Sequence, residues 1–375
     1  MRDDAAGQDD VRRRQSNRRD YTSKSRAAVP PALHVTGLSK TFRVRERRPG
    51  FVGALKGLFT RPARDVRAVE DVTFTIERGE RVAFVGPNGA GKSTTIKMLT
   101  GILHPTSGTA EVLGFVPWAQ RRALAYRIGT VFGQRSQLWW HLPPTDTFEL
   151  LRVVYGQDRA VHAARRDRLV DAFRLGDLVD RPVKTLSLGE RMRFEIVASL
   201  LHAPDVLLLD EPTIGLDVVA KSVIRDLVRE RSEADGATVL LASHDTGDME
   251  AVCDRVLVIH DGRLLLDRPV GELRRTYLRR KVVTLATVEP TIDLRLPGVT
   301  VRETTPHRTV LEVDTATTAV EAVIQAALAA TRLEDLSVED PPMEEIVKAI
   351  YASAGRGTAA GAGSREGAPG DGGRR

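Results

Sequence analysis

The sequence holds a single cysteine, Cys253, among 375 residues. One thiol cannot close an internal disulfide, so a disulfide-stapled scaffold is excluded and a reducing compartment is expected. Cys253 stands in Ala251-Val252-Cys253-Asp254 at an expected helix end, which predicts a buried structural thiol rather than a reactive one. Long apolar runs are missing as well. No stretch approaches the roughly 18 uncharged apolar residues of a membrane helix, and the Arg- and Asp-rich start lacks the apolar centre of a signal peptide. The expectation is a chain soluble by itself, for which any membrane role needs a partner. Sustained heptads are absent too, which argues against a long coiled coil.

The net charge of +6 invites a nucleic-acid reading until it is located along the chain. Residues 1–30 carry eight Lys/Arg against five Asp/Glu, residues 43–67 eight against two, and residues 354–375 four against two. What remains is net acidic, so no specific nucleic-acid partner is expected. Residues 1–31 and 353–375 are polar or Gly/Ala/Arg-rich and cannot bury enough apolar surface to order themselves, so both read as disordered tails. In the basic insertion at 43–67, Phe51, Leu58 and Phe59 alternate with Arg47, Arg48, Lys56 and Arg61. It reads either as a solvated hairpin extension or as a contact with anionic lipid headgroups.

Between the tails, residues 32–275 alternate short apolar strands with helical segments, the pattern of an α/β domain. Strands are expected at Val82–Val85, Ile128–Phe132, Val206–Leu209, Val239–Ala242 and Arg255–Ile259. The stretch 145–202 reads as nearly continuous helix and is taken as an inserted helical subdomain. Residues 280–352 form an expected small α+β accessory domain, with strands at Val282–Ala286 and Thr309–Val313 and a helix at Ala319–Ala330. Its last helix should start at Asp340, with Pro341-Pro342 in the first positions and Glu344 and Glu345 in the first turn.

The chemistry concentrates in Gly86-Pro87-Asn88-Gly89-Ala90-Gly91-Lys92-Ser93, followed by Thr94. It is a full G-x-x-x-x-G-K-S phosphate loop, set between an apolar strand and a helix start as the motif requires. Its glycines let backbone N–H groups face a polyphosphate, and the helix adds the positive end of its dipole. Lys92 can reach the β- and γ-phosphates of ATP, and Ser93 offers a hydroxyl to Mg²⁺. Downstream, Val206-Leu207-Leu208-Leu209-Asp210-Glu211 is an apolar strand that ends in two acids. Asp210 is placed to hold the water shell of the magnesium, and Glu211 to orient or deprotonate an attacking water.

With Leu186-Ser187-Leu188-Gly189-Glu190-Arg191 just before that strand, the chain resembles the nucleotide-binding subunit of an ABC transporter. The family signature is of Leu-Ser-Gly-Gly-Gln type; Leu188 and Glu190 depart from it, while Ser187 and Gly189 are kept. The resemblance spans about residues 33–275 and implies further roles. Gln134 would touch Mg²⁺ and sense the membrane partner, Asp217 would cross the dimer in Ile214-Gly215-Leu216-Asp217, and His244 would be the switch histidine on the γ-phosphate. Phe42 would stack on adenine. Ser187, Gly189 and Glu190 would contact ATP bound to the other subunit, in a dimer with a second copy or a paralogous ATPase that ATP closes and hydrolysis reopens.

One nucleotide-binding unit without a splitting coiled coil favours a transporter subunit over chromosome-type or translation-factor relatives; a non-transport ATPase acting on a soluble partner is the alternative. Trp139 and Trp140 follow Gln134 where the family's membrane subunit docks, and read either as core or as docking anchors. The resemblance thus implies an integral membrane permease as partner and a peripheral place on the cytoplasmic face of the cell membrane. The runs at 210–217, 104–108 and 341–345 resemble exporter ATPases of the multidrug and daunorubicin-resistance type. No residue identifies the cargo.

Overall fold

A computed structural model describes residues 30–45, 63–133, 135–277, 280–290, 292, 294–340, 343–348 and 350–351. Its centre is a six-stranded sheet of β3 (Arg81–Val85), β5 (Ile128–Phe132), β6 (Val206–Asp210), β7 (Thr238–Ser243), β8 (Arg255–His260) and β9 (Arg263–Pro269). The order is β5-β6-β7-β3-β8-β9; all neighbours are parallel except β9, which returns antiparallel on β8. Every residue of β6 and β7 is buried. Such strands are covered on both faces, and this is why they read in sequence as unbroken apolar runs rather than as alternation.

A second sheet packs beside it, with β1 (Leu33–Arg45) between β2 (Ala63–Ile76) and β4 (Ser107–Val112), all antiparallel. The Phe74 and Phe84 rings, 6.2 Å apart, join the two sheets. Helix α1 (Lys92–Leu99) buries Ile96, Met98 and Leu99 in the same core, near the short helix α2 (Arg121–Ala125). The expected insertion at 43–67 is partly ladder: Arg43 pairs with Asp65, Val44 with Arg64 and Arg45 with Ala63. Arg47, Arg48, Phe51, Lys56, Leu58, Phe59 and Arg61 lie outside the described residues.

The helical segment consists of α3 (Pro144–Val154), α4 (Arg159–Ala172) and α5 (Leu188–Leu200). It is less continuous than expected. Short 3₁₀ turns at Gly176–Leu178 and Val183–Thr185 separate α4 from α5, and Asp158 caps α4 by accepting from the Ala160 and Val161 N–H groups. Phe148 of α3 and Phe194 of α5 are fully buried with ring centres 6.2 Å apart. Beyond β6 follow α6 (Val218–Asp235), α7 (Thr246–Val252) and α8 (Val270–Tyr277). Cys253 is the C-cap of α7, and burial pushes its thiol pKa upward, as a structural cysteine requires.

A third sheet contains β10 (Arg280–Thr287), β11 (Val299–Thr305), β12 (Arg308–Asp314) and β13 (Leu333–Glu339) in the order β11-β12-β10-β13, all antiparallel. Val283, Leu285, Leu311 and Val313 form one face, covered by Val323 and Ala327 of α9 (Val320–Ala330). The sequence pattern misses β11 because nearly all of it faces solvent and carries no alternation. It also assigns the last helix to the wrong core. Met343, Ile346, Val347 and Ile350 pack with Val270 and Leu273 in the core of the main body, so the expected unit at 280–352 does not close on itself. Ion pairs of Arg302 with Glu345 and of Lys281 with Asp340 tie this return to the small sheet, while Pro341 and Pro342 lie outside the described residues.

Truncating a buried ring where two helices meet leaves a void that neighbours only partly fill. Phe194→Ala is expected to cost about 3–5 kcal/mol, read as a lowered urea midpoint by circular dichroism.

Candidate nucleotide site

The parallel register delivers the chemistry to one edge. Phe132 lies beside Asp210 and Asp210 beside Ala242, while Val85 lies beside Ser243. The phosphate loop, both acids and His244 therefore leave neighbouring strands at their carboxyl ends, where open α/β sheets hold ligands.

The loop leaves β3 at Val85 and enters α1 at Lys92. Gly91, the N-cap, has φ +109°, and a Cβ there would stand 2.5 Å from the carbonyl oxygen of Ala68. Only glycine fits both the conformation and the space. Lys92 is buried. Its Nζ donates to the carbonyls of Gly86 at 2.5 Å and Pro87 at 3.2 Å, and lies 3.2 Å from Glu211 Oε1. That carboxylate oxygen is buried without an aligned hydrogen bond, so Lys92 compensates it as an ion pair.

Ser93 Oγ donates to Asp210 Oδ1 at 2.9 Å. Burial raises the Asp210 carboxyl above the ordinary range, with the Ser93 hydroxyl, Lys97 and Lys92 acting against it. Glu211 adopts φ +54°, a left-handed conformation unusual outside glycine, while its N–H donates to Ala242 at 2.8 Å. Its Oε2 lies 2.6 Å from His244 Nδ1. An ionised carboxylate only accepts, so this contact assigns the proton to Nδ1 and leaves Nε2 for another partner.

A cleft of about 360 Å³ runs over residues 88–94, Asp210 and Glu211. Lys97, Phe132, Arg135 and Ile214 also line it, and none of these was anticipated. Lys97 was legible in principle: it follows Ser93 by four residues on one helix and so shares its face. Gln134 lies outside the described residues; its neighbours are fixed by Gly133 N–H donating to Asp210 at 2.8 Å and Arg135 N–H to Phe132 at 2.9 Å. Phe42 does not line the cleft. It is half-buried on β1, with Lys40 Nζ 5.3 Å from its ring centre.

The signature residues stand apart from this cleft. Ser187 is the N-cap of α5 and forms a capping box with Glu190: the Glu190 N–H donates to Ser187 Oγ at 3.2 Å, and the Ser187 N–H to Glu190 Oε2 at 2.8 Å. Glu190 therefore has a local structural task. A Cβ on Gly189 would come 3.1 Å from that of Ala220. Asp217 caps α6 by accepting from the Ala220 N–H at 2.8 Å. Trp139 and Trp140 are 47% and 48% exposed, which rules out the core reading, and the Arg191 guanidinium lies 5.6 Å from the Trp140 ring centre.

The residues fit Mg²⁺ and ATP. Ser93 Oγ and Asp210 Oδ1 are hard oxygen donors side by side, which suits a magnesium that keeps several waters and takes its other ligands from phosphates. Lys92 and the loop N–H groups suit the phosphates themselves. Fold and site together define a phosphate-loop nucleotide-binding protein.

Residues 69–214 match the family described as ABC transporter. The chain is 35% identical over 200 residues to the ABC transporter ATP-binding protein NatA of Bacillus subtilis, covering 53% of this chain and 81% of NatA. It is 38% identical over 208 residues to the daunorubicin/doxorubicin resistance ATP-binding protein DrrA of Streptomyces peucetius, covering 56% of this chain and 62% of DrrA. A solved ATP-binding subunit of an ABC transporter superposes with a TM-score of 0.54 and 28% identity, over 66% of this chain and 93% of that one. The chain belongs to the ATP-binding proteins of ABC transporters, a family of ATPases.

Because Gly91 is locked by both its φ and the Ala68 carbonyl, Gly91→Ala should displace the loop. Affinity for a fluorescent ATP analogue is expected to fall at least about tenfold while far-ultraviolet circular dichroism is kept.

Proposed function

We propose that this chain is the ATP-hydrolysing subunit of an exporter, driving a separate membrane-spanning partner from the cytoplasmic face of the cell membrane. The observation that carries this reading is the convergence of Lys92, Ser93, Asp210, Glu211 and His244. Export rests on the likeness to DrrA, a daunorubicin/doxorubicin resistance protein by name. Among the described residues no helix is long and apolar enough to cross a membrane, which accords with a separate permease.

In this reading Lys92 and the loop bind the phosphates, and Ser93 and Asp210 hold Mg²⁺, which offsets phosphate charge when bound. Glu211 accepts the proton of the attacking water. His244, held by Glu211 through Nδ1, can donate from Nε2 to the terminal phosphate only as the imidazolium, with both ring nitrogens protonated, and Gln134 would complete the metal and water contacts. Phe42, on β1 outside the phosphate cleft, would stack on the base only where the base extends beyond that cleft.

Ser187, Gly189 and Glu190 lie outside the cleft, so they act on ATP held by another subunit, either a second copy or a paralogue. Asp217 lies at that boundary. The two residues after it, Val218 and Val219, are 81% and 74% exposed at the start of α6, apolar surface that a dimer contact would cover. Trp139 and Trp140 serve as anchors for the permease.

Glu211→Gln should retain ATP binding, lower turnover by at least about 100-fold and yield an ATP-dependent dimer on size-exclusion chromatography. Normal hydrolysis by this variant would reject Glu211 as the base. Trp139→Ala should reduce co-purification with the permease while ATP affinity is unchanged; undiminished co-purification would remove the docking assignment.

A further inference from the structure

Four residues beyond His244, in the first turn of α7, Asp248 carries a carboxylate that is 0% exposed and has no place in the roles above. Its Oδ2 accepts from Thr213 Oγ1 at 2.5 Å and from Ser243 Oγ at 2.7 Å. Its Oδ1 accepts from Arg225 Nε at 2.7 Å and lies 2.7 Å from Arg225 Nη2. A buried charge is tolerated when its lone pairs are met this fully, and removing one member leaves the rest unpaired.

The placement of the donors gives the cluster its meaning. Thr213 is two residues past Glu211, and Ser243 immediately precedes His244. Arg225 belongs to α6, the helix that Asp217 caps. The Ser243 hydroxyl donates to Asp248 and accepts from the Asp245 N–H at 2.9 Å, which fixes its orientation. Asp245 in turn meets Lys221 Nζ at 2.6 Å and Arg225 Nη2 at 3.3 Å. Gly247 leaves room for the guanidinium, since a Cβ there would come 3.0 Å from Arg225 Nη2.

Glu211 needs such support. A non-glycine residue at φ +54° persists only when its surroundings over-determine it, and the segment leaving Glu211 is held through Thr213.

We propose that Asp248 is a positioning residue for ATP hydrolysis, clamping Thr213, Ser243 and Arg225 so that Glu211, His244 and the Asp217 end of α6 hold one geometry. The proposal rests on the roles given above to Glu211 and His244. None of the clamped groups lies among the residues lining the nucleotide cleft, so the clamp affects turnover rather than nucleotide affinity.

The test compares Asp248→Asn, His244→Ala and the double variant in the full chain, by steady-state ATPase kinetics and by affinity for a fluorescent ATP analogue. Asp248→Asn is expected to lower kcat at least about tenfold with affinity kept within about threefold, and to cost a smaller factor in the His244→Ala background than in the wild type. Thr213→Val should reproduce the kcat loss, and Thr213→Ser, which keeps the hydroxyl, should restore it. A wild-type kcat in Asp248→Asn beside an impaired His244→Ala would overturn this proposal alone. So would an equal loss of affinity, or a full multiplicative loss in the double variant, because either is what a merely structural carboxylate produces. Normal turnover by His244→Ala would remove the assignment of His244 and this proposal with it.

Discussion

The alignment of β6 between β5 and β7 is the constraint on which the site depends. Asp210 is the last residue of a wholly buried strand, and its partners Phe132 and Ala242 fix its height at the sheet edge. From there Ser93 can reach it at 2.9 Å, and Glu211, one residue on, turns back through a left-handed φ to meet Lys92 on one oxygen and His244 on the other. A slip of one residue in a central strand would exchange its faces and carry the acids away from the loop. Side chains remote in sequence act together here because parallel pairing leaves no freedom in where each strand ends.

That constraint explains what the sequence made legible. Buried parallel strands are written as apolar runs, so Val206–Leu209 and Val239–Ala242 could be placed almost to the residue, and the phosphate loop and acids followed from their ends. Contacts between segments could not be read this way. Nothing in Glu211 or His244 alone announces that their side chains meet at 2.6 Å, or that Lys92 lies against Glu211. The strand β11 stayed hidden because its side chains face water, and the return of Met343 and Ile346 to the main core is a tertiary choice that the local helix pattern does not encode.

The departures from the signature acquire physical meaning in the same way. Glu190 replaces the expected glutamine, yet its carboxylate is the one that closes the capping box on Ser187 and places negative charge at the positive end of α5. Leu188 packs toward the loop that precedes α6, since a Cβ on Gly215 would lie 3.1 Å from its Cδ2. Glu190 thus fixes the start of α5, Leu188 lies against the loop that leads into α6, and Ser187 and Gly189 are kept.

In the proposed assembly, helix α5 lies between the Trp139–Trp140 segment and Ser187. At its N-terminus stands Ser187; along its length Arg191 faces the Trp140 ring, and Glu195 accepts from the Ser136 hydroxyl and, at 3.2 Å, from the Gln137 N–H. Burial raises the Glu195 carboxyl above the ordinary range, and those donors, with Arg191, oppose the shift. The segment leading to the tryptophans is thus hydrogen-bonded to the helix that presents the signature, and Phe194, between Arg191 and Glu195, seats that helix in the core. Packing this dense does not let one end of a thirteen-residue helix move while its middle stays behind. A displacement of Trp139 and Trp140 therefore has two routes to Ser187, through α5 and through the Lys184 N–H that donates to the Trp140 carbonyl at 2.9 Å in the turn just before Ser187, whereas the acids of β6 are held by the sheet.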